Sequence, residues 1–339
     1  MASADRTVDS ADRGPTLKDV ARLAEVSRAT ASRAFADHSS IAAATRMRVL
    51  DAARMLGYTL NQPARSLKSG RIGLVGVVLP DLRDPFYAHI AAGIDEVLQD
   101  QGFAMIMIMG RGGDQVAAIE RLRSHRVGSV IVAPTSTAII SAIRAAKLVA
   151  VHVHTTHHSL VSDCVTGYDY EVVRGIAAEL ITLGHKRLAL LLRSPETSAT
   201  RGRAAGFLSA IDAAPSTVSG RLVAPHTDPR ITSWLPHLDG ASAVIAGDAG
   251  ITSRLLQEAR NRGVCVPRDL SVVSLGDLDW MTAFDPPISA VDLHPHAMGR
   301  HAAETLVARL RGDAPAPPVE IRVLPTVNRR GSIAPFRES

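Results

Sequence analysis

The sequence is poor in cysteine and has no long apolar run. Its two cysteines, Cys164 and Cys265, lie far apart without a CxxC spacing, which argues against a disulfide framework and a zinc site. We expect both to be small, buried hydrophobic residues. No stretch of 18 apolar residues is present, and Met1–Pro15 lacks the apolar segment of a secretory signal. We therefore expect a cytoplasmic protein with no membrane partner.

The common catalytic motifs are also missing. The sequence contains no GxSxG or HExxH motif, and the Gly110-Arg111-Gly112-Gly113 segment lacks the lysine and hydroxyl residue of a phosphate-binding loop. Four neighbouring histidines are conceivable metal ligands, but no carboxylate or thiolate is paired with them at ligand spacing. These histidines are His152, His154, His157 and His158. A cleft or surface position is favoured over metal binding, and we expect no cofactor.

Positive charge is concentrated in the first fifth of the chain. Residues 1–71 contain 12 Lys and Arg against 7 Asp and Glu, whereas residues 72–339 contain 26 of each sign. A basic head on a neutral body is the pattern expected when only the head meets nucleic-acid phosphates. A solvated basic face without a partner would give the same count, so charge alone leaves both interpretations open.

Helical spacing predicts three short helices within the basic head. Thr16 caps the first by accepting from the backbone N–H of Asp19, Ser27 caps the second, and Gly57 supplies a left-handed end to the third. The short turn between the first two is a helix-turn-helix pattern, which leaves the start of the second helix projecting where a DNA major groove can receive it. The predicted helices cover residues 17–24, 28–35 and 43–56.

Apolar residues at helical spacing predict which faces of these helices meet in a small core. In the first helix they are Val20, Leu23 and Ala24. In the third helix they are Met47, Leu50, Ala53 and Leu56.

The remainder of the chain alternates apolar runs with helical stretches. Short apolar runs predict strands, and the intervening segments, such as 87–101 and 115–125, predict helices. This alternation predicts an α/β fold with two doubly wound parallel sheets, which bind ligands outside the carboxyl ends of their strands. The predicted strands are 72–79, 103–109, 129–133 and 149–153 in one series, and 187–192, 243–246 and 271–275 in the other.

Several short motifs, in a fixed order over nearly the whole chain, resemble the lactose-repressor (LacI/GalR) family of bacterial transcription regulators. Each motif is weak alone, but their order and spacing are specific. In the head they are Thr16-Leu17-Lys18-Asp19-Val20-Ala21, the run from Val26 to Arg33, Gly57-Tyr58 with Asn61, and Ala64-Arg65-Ser66-Leu67. In the body they are the run from Ile72 to Val78, Asp84-Pro85-Phe86-Tyr87, Leu183-Gly184-His185, Arg203-Ala204-Ala205-Gly206-Phe207, Val266-Pro267 and Pro286-Pro287-Ile288.

The resemblance implies a small all-α helix-turn-helix headpiece joined to a two-lobed domain similar to periplasmic binding proteins. We expect a flexible tail over 1–15, a headpiece over 16–60, a hinge helix over 61–70 and an effector and dimerisation domain over 71–339. The implied N-lobe covers about 71–165 and 293–324, and the C-lobe about 166–292 and 325–339. The implied crossings between lobes lie near 164–168, 291–295 and 324–326.

By the same resemblance, Arg28 and Ala29 lie where the family reads bases, with Arg33 one turn further on. An arginine can donate two hydrogen bonds to guanine O6 and N7, while an alanine offers only a methyl group. The implied phosphate contacts, which position the protein without reading sequence, are Leu17, Ser27, Thr30, Ser32 and Asn61.

The segment from Asn61 to Gly70 would be a marginal helix alone. In the family it becomes helical when two subunits meet over DNA, and the resemblance places Ala64 and Leu67 at the minor groove, with Leu67 as an apolar wedge. The alternative is that Leu67 is an ordinary linker residue. Two wedges require two chains, so we expect a homodimer on a near-palindromic operator in double-stranded DNA.

The implied effector site lies between the lobes, but its ligand is less clear. Asp84, Phe86 and Tyr87 match the family's ring-stacking loop, and Arg203 matches an arginine that commonly binds hydroxyls or carboxylates. Asp248 and Asp277 also belong to the expected site. The family's usual polar groups are replaced at four positions, by His154, Gly247, Gly276 and Leu293.

An ordinary hexose is disfavoured because each buried hydroxyl left unpaired costs about 1–3 kcal/mol. A less hydroxylated ligand, an anion paired with Arg203, or the absence of a physiological effector all remain open, and Asp277 and Asp279 are possible substitutes for the lost groups.

Three classes of function compete. The basic head and the missing leader disfavour a sugar-transport protein, and the missing motifs disfavour an α/β enzyme. We therefore expect a DNA-binding transcriptional repressor that responds to a small molecule. A transcriptional activator of the same fold, or a cytoplasmic ligand-binding protein without operator activity, is the alternative.

Overall fold

The computed structural model describes residues 15–35, 41–58, 73–110, 114–157, 159–193, 197–224 and 233–337. The chain divides into two compact units, Met1–Ile72 and Gly73–Ser339, which we call the headpiece and the body. Each unit has its own hydrophobic core. Among the helices in these ranges, none is long and apolar enough to cross a membrane.

The described part of the headpiece forms three helices, α1 Leu17–Leu23, α2 Arg28–Ala34 and α3 Ala43–Met55. Their ends agree with the predicted ones to within one residue. The Ser27 hydroxyl accepts a hydrogen bond from the backbone N–H of Thr30 at 3.0 Å, and Gly57 has a φ of +61°. The predicted start of α2 and end of α3 are therefore confirmed.

The capping box predicted at the start of α1 is present between Thr16 and Asp19. The Thr16 hydroxyl also donates to the Asp19 carboxylate at 2.6 Å, and the Asp19 backbone N–H donates to the Thr16 carbonyl at 2.9 Å. The Thr16 backbone N–H also donates to this carboxylate, at 3.0 Å. The side chain of Asp19 therefore does most of the capping.

The predicted core faces of α1 and α3 are partly wrong. Leu23 is 48% exposed and Met47 is 65% exposed, whereas α3 buries Val49, Ala52 and Ala53. Residues 49, 52, 53 and 56 follow the i, i+3, i+4, i+7 spacing of one helix face, and the stripe that begins at Met47 lies beside it. Six of the eight buried residues of this core are alanines.

The body contains two six-stranded sheets with helices packed against them. Its strands are β1 Leu74–Leu79, β2 Ala104–Met109, β3 Ser129–Val132, β4 Val149–Val153, β5 Asp163–Gly167, β6 Arg187–Leu191, β7 Ser219–Val223, β8 Ala243–Ala246, β9 Ser271–Leu275, β10 Ser289–Asp292, β11 Glu320–Val323 and β12 Thr326–Asn328. Its α-helices are α4 Pro85–Asp100, α5 Gln115–Ser124, α6 Thr137–Ala145, α7 Asp169–Thr182, α8 Ser198–Asp212, α9 Ala249–Asn261 and α10 Pro295–Arg311.

The strand order is β11-β5-β4-β3-β1-β2 in the first sheet and β12-β10-β9-β8-β6-β7 in the second. In the first sheet all pairs are parallel, with Val77 of β1 opposite Met107 and Ile131. The second sheet is parallel as predicted, except at its edge, where the short strand β12 runs antiparallel to β10. From the carboxyl end of β11 the chain crosses directly to the second sheet, which it enters at the carboxyl ends of the parallel strands. Strand β12 therefore runs in the opposite direction to those strands.

The chain passes between the two sheets three times, after β5, after β10 and between β11 and β12. These positions coincide with the three crossings implied by the resemblance. We call the first sheet with α4, α5, α6 and α10 the N-lobe, and the second sheet with α7, α8 and α9 the C-lobe.

The two cysteines differ in exposure. Cys164 lies buried in β5, as expected, whereas Cys265 is exposed. The expectation for Cys265 is wrong because this residue lies in the connection between α9 and β9, where the chain runs over the surface.

Two helices of the N-lobe pack closely through glycine. A Cβ atom built on Gly93 of α4 would overlap the carbonyl oxygen of His296, and one built on Gly299 of α10 would overlap the carbonyl oxygen of Ile90. Because backbone atoms cannot swing aside as a side-chain end can, the two helices must separate to admit a methyl group. Gly175 of α7 is the opposite case, since its Cβ would meet nothing within 4 Å.

We expect Gly93→Ala to destabilise the protein by about 1–3 kcal/mol, because it overpacks this helix contact. Gly175→Ala, the same change on an open helix face, should stabilise it by about 0.5–1 kcal/mol. Chemical denaturation followed by circular dichroism measures both. Equal effects of the two substitutions would contradict the proposed close contact.

One of the histidines noted in the sequence is a core residue of the N-lobe. His152 is 1% exposed, and its Nδ1 lies 2.9 Å from the Thr135 hydroxyl. That hydroxyl donates to the Thr155 carbonyl, so it accepts from Nδ1. Burial lowers the pKa of His152 to about 4.

This burial predicts a loss of stability in acid. The unfolded chain takes up a proton at His152 below its ordinary pKa of 6.5, whereas the folded chain does so only near pH 4. Stability that is present above pH 6.5 is therefore lost as the pH falls toward 4, by up to about 3 kcal/mol. Urea unfolding at these two pH values should show a smaller loss for His152→Gln than for the unaltered protein. An identical pH dependence would contradict the assignment, and His125→Gln, at an exposed position, controls for losing a histidine.

Candidate functional site

Helix α2 carries a small polar surface. Ala31 and Ala34 face the headpiece core, so the remaining positions of the helix turn outward. The exposed residues are Ser27, Arg28, Ala29, Ser32 and Arg33, and Thr30 is half-buried. In the part of the chain that the structure describes, no hydrogen bond engages the Arg28 guanidinium.

The neighbouring predicted DNA contacts are more constrained. Arg33 donates from Nε to the Ala29 carbonyl at 3.3 Å, which leaves its terminal nitrogens able to reach a base or phosphate. The Thr30 hydroxyl lies 2.8 Å from that of Ser27, and Leu17 packs partly against the headpiece core. The other three predicted contacts lie outside the described residues. They are Asn61, Ala64 and Leu67.

A cavity of about 540 Å³ lies between the two lobes of the body. Its walls are the segments that follow β1, β4, β6, β8, β9 and β10, at the carboxyl ends of both sheets. This volume lies within the usual range for small-molecule sites. All seven predicted effector residues line it. They are Asp84, Phe86, Tyr87, His154, Arg203, Asp248 and Asp277.

Three rings meet on the N-lobe wall of this cavity. The ring of Phe86 lies 5.4 Å from that of Tyr87 and 4.5 Å from the imidazole of His154, both edge to face. Asp84 caps α4 by accepting from the backbone N–H of Phe86 at 3.1 Å, and Pro85 begins the helix. The Asp-Pro-Phe-Tyr sequence therefore fixes both rings at the first turn of a helix that points at the cavity.

His154 is held in an unusual state. Its φ is +68°, a left-handed conformation that non-glycine residues rarely adopt, and its buried Nδ1 has no hydrogen-bond partner among the described residues. Burial lowers its pKa to about 4, outweighing the opposite effect of Asp169. The ring is therefore neutral at pH 7, and its buried Nδ1 is an unsatisfied polar atom.

The arginines on the C-lobe wall are already paired. Arg203 donates from Nε to Asp169 at 2.7 Å and from Nη1 to the Gly247 carbonyl at 2.8 Å, and it is 6% exposed. Arg193 binds the Asp248 carboxylate with two hydrogen bonds, at 2.8 and 3.0 Å. Asp169 already balances the positive charge of Arg203. An anion placed beside this arginine would therefore gain little electrostatic attraction.

Asp277 is similarly engaged from behind the cavity wall. Arg330 donates two hydrogen bonds to its carboxylate at 2.6 and 2.9 Å, and Asn328 of β12 donates a third at 2.8 Å. Asp248 also caps α9 by accepting from the backbone N–H of Ile251 at 2.8 Å. These two carboxylates therefore hold the wall in place and have little capacity left to bind a ligand.

Sequence reasoning missed several polar residues of the site. Asp169, the partner of Arg203, begins α7 immediately after a crossing between the lobes, and Arg193 follows β6 directly. The position of Arg193 just after the end of a predicted strand could have identified it as a residue of the site. No signal in the sequence pairs Asp169 with Arg203, 34 residues away. The other missed polar residues that line the cavity are His89, Thr155, Thr197, Thr200, Asp292, His294 and His296.

Two family models match the sequence. Residues 16–61 match the model described as bacterial regulatory proteins of the lacI family, and residues 177–333 match that of a periplasmic binding protein-like domain. The first match covers the helix-turn-helix segment, and the second covers most of the C-lobe together with α10 and β11.

Characterised relatives align with nearly the whole chain. The HTH-type transcriptional regulator MalR of Streptomyces coelicolor is 29% identical over 336 residues, which cover 94% of this chain and 96% of the relative. The ribose operon repressor of Bacillus subtilis is 29% identical over 310 residues, which cover 87% of this chain and 92% of the relative.

Solved structures share the fold. A lac repressor dimer bound to operator and an anti-inducer matches with a TM-score of 0.82 at 21% identity, covering 95% of this chain and all of that one. A complex of the regulator CelR with cellobiose matches with a TM-score of 0.67 at 24% identity, covering 94% of this chain and 99% of that one. These structures show the fold that the chain shares, and the sequence of its helix-turn-helix segment is similar to that of bacterial regulatory proteins of the lacI family.

Proposed function

We propose that this protein is a transcriptional repressor that binds a specific operator through α2 and changes its operator affinity when a small molecule occupies the interlobe cavity. The observation that carries the DNA-binding part is the exposed face of α2, where two arginines project beside a capped helix start. The cavity at the carboxyl ends of both sheets carries the sensing part.

Recognition of DNA would use the two arginines in different ways. Arg28 lies in the first turn of α2 with its guanidinium unengaged among the described residues, so it can donate both terminal nitrogens to guanine O6 and N7. Arg33 lies more than one turn further along and is oriented by the Ala29 carbonyl. Ser27, Thr30 and Ser32 would hold phosphates and fix the orientation of the helix.

Two copies of the chain would act together. A helix-turn-helix module that reads one half-site binds an operator with two-fold symmetry when the protein is a dimer. The hinge segment from Asn61 to Gly70, which includes the proposed wedge Leu67, lies outside the described residues. Its assignment stays a prediction from the sequence.

The cavity would act as a conformational sensor. A ligand that touches both walls favours one arrangement of the lobes over another, and only this difference in affinity can alter DNA binding. In this proposal the protein is cytoplasmic and performs no catalysis, in keeping with a family of regulatory proteins.

We expect Arg28→Ala to relax the preference at one base position in each half-site, because a bidentate arginine–guanine pair is worth about 1–3 kcal/mol of discrimination. Selection from a randomised operator library, followed by sequencing, measures this preference. Arg54→Ala is the control, since Arg54 is exposed at the end of α3 and pairs with Asp51 at 3.2 Å. Recovery of the same motif with Arg28→Ala and the unaltered protein would refute the role of Arg28.

A further inference from the structure

The charges around the interlobe cavity do not suit an anion. Four aspartates and two arginines line it. Their partners Asp169 and Arg330 add one charge of each sign, so these carboxylates and guanidinium groups together carry two excess negative charges. Each of these arginines already shares a carboxylate at hydrogen-bond distance. The lining aspartates are Asp84, Asp248, Asp277 and Asp292.

Asp84 is the carboxylate with the least compensation. One of its oxygens accepts from the Phe86 backbone N–H, and no described lysine, arginine or histidine forms an ion pair with it. Burial raises the pKa of Asp84, and the charge of Asp248 on the facing C-lobe raises it further, while Arg193 opposes them. By contrast, Asp292 is bonded to the side chain and the backbone N–H of His294. A positive group beside Asp84 would relieve this electrostatic cost.

The aromatic wall next to Asp84 suits the same kind of group. Phe86 and Tyr87 follow Asp84 in the first turn of α4, and their rings lie against that of His154. An aromatic face attracts a cation as well as an apolar body. His154 is neutral at pH 7 and therefore does not repel a positive charge.

We propose that the effector of this protein is a small organic cation, in which a protonated amine pairs with Asp84 and a ring or alkyl body packs against Phe86 and Tyr87. This inference rests on the proposed function of the cavity. It replaces the earlier option of an anion paired with Arg203, because Asp169 balances that arginine. The amine would bind Asp84 on the N-lobe and face the charge of Asp248 on the C-lobe, so its affinity would depend on the arrangement of the two lobes, as a conformational sensor requires.

The test uses two series of compounds of similar size, in which one substituent is positive, neutral or negative. The first is glucosamine, glucose and glucuronate; the second is 2-phenylethylamine, 2-phenylethanol and phenylacetate. Isothermal titration calorimetry with the full-length protein, without DNA, measures their affinities. We expect the amine of at least one series to bind at least about tenfold tighter than its neutral and anionic counterparts, as hydrogen bonds to a charged group allow.

The variant that isolates the charge is Asp84→Asn. Asparagine caps a helix as well as aspartate does, so α4 should remain intact while the negative charge is lost. We expect the preference for the amine to fall at least about tenfold. Asp100→Asn, at the exposed far end of the same helix, should leave it unchanged.

Three results would overturn the proposal. They are the absence of binding by both amines, a preference for the neutral or anionic member of each series, and an amine preference that survives Asp84→Asn. Selection of operator DNA with the same protein tests DNA binding in a separate experiment. Loss of DNA binding would refute the proposed function, whereas loss of amine selectivity alone would refute only the ligand class.

Discussion

The arrangement of the body depends on one constraint, that the carboxyl ends of two mostly parallel sheets border the same gap. Every strand that ends there delivers the next few residues to the cavity wall. The constraint also explains the reversed edge strand β12, because a chain that crosses the gap directly must run back into the second sheet. Residues far apart in the sequence, such as Asp84, Arg203 and Asp292, thereby become neighbours around one ligand-sized space.

The polar groups on the C-lobe wall are largely satisfied before any ligand binds. Arg193, Arg203 and Arg330 each hold a carboxylate, and Asp248 and Asp277 support α9 and the β12 edge. Buried charges need such partners, since an isolated one is very costly to desolvate. The N-lobe wall is different. It presents Asp84 and the neutral imidazole of His154 beside two aromatic rings, so ligand selectivity is concentrated on this side.

Much of the fold could be predicted from the sequence because periodicity and capping are local. The three headpiece helices and the strands with continuous apolar runs were predicted nearly to the residue. Strand β7 was missed because four of its five residues are exposed and show no apolar run. The core face of α3 was misassigned because Met47 and Val49 begin competing apolar stripes, and only the packing of α1 and α2 decides between them.

The candidate site was predictable to a different degree. The resemblance supplied residues that line the cavity, but not the partners that set their charge. Arg203 suggested an anion because the sequence does not show that Asp169 lies 2.7 Å from it. The unpartnered nitrogen of His154 is likewise a consequence of tertiary packing, which no local pattern encodes. Pairing across lobes and sheets therefore decides the chemistry of the site.

The central claim is that the relative position of the two lobes controls DNA binding. It is tested most directly by joining the lobes covalently, with Asp84→Cys and Asp248→Cys linked by a short bismaleimide in a protein whose exposed Cys265 is replaced by serine. Operator affinity is then compared before and after linkage by fluorescence anisotropy. The account predicts a change of about 5-fold to 150-fold, the usual range of coupling between sites. Equal affinity of the linked and unlinked protein would contradict it.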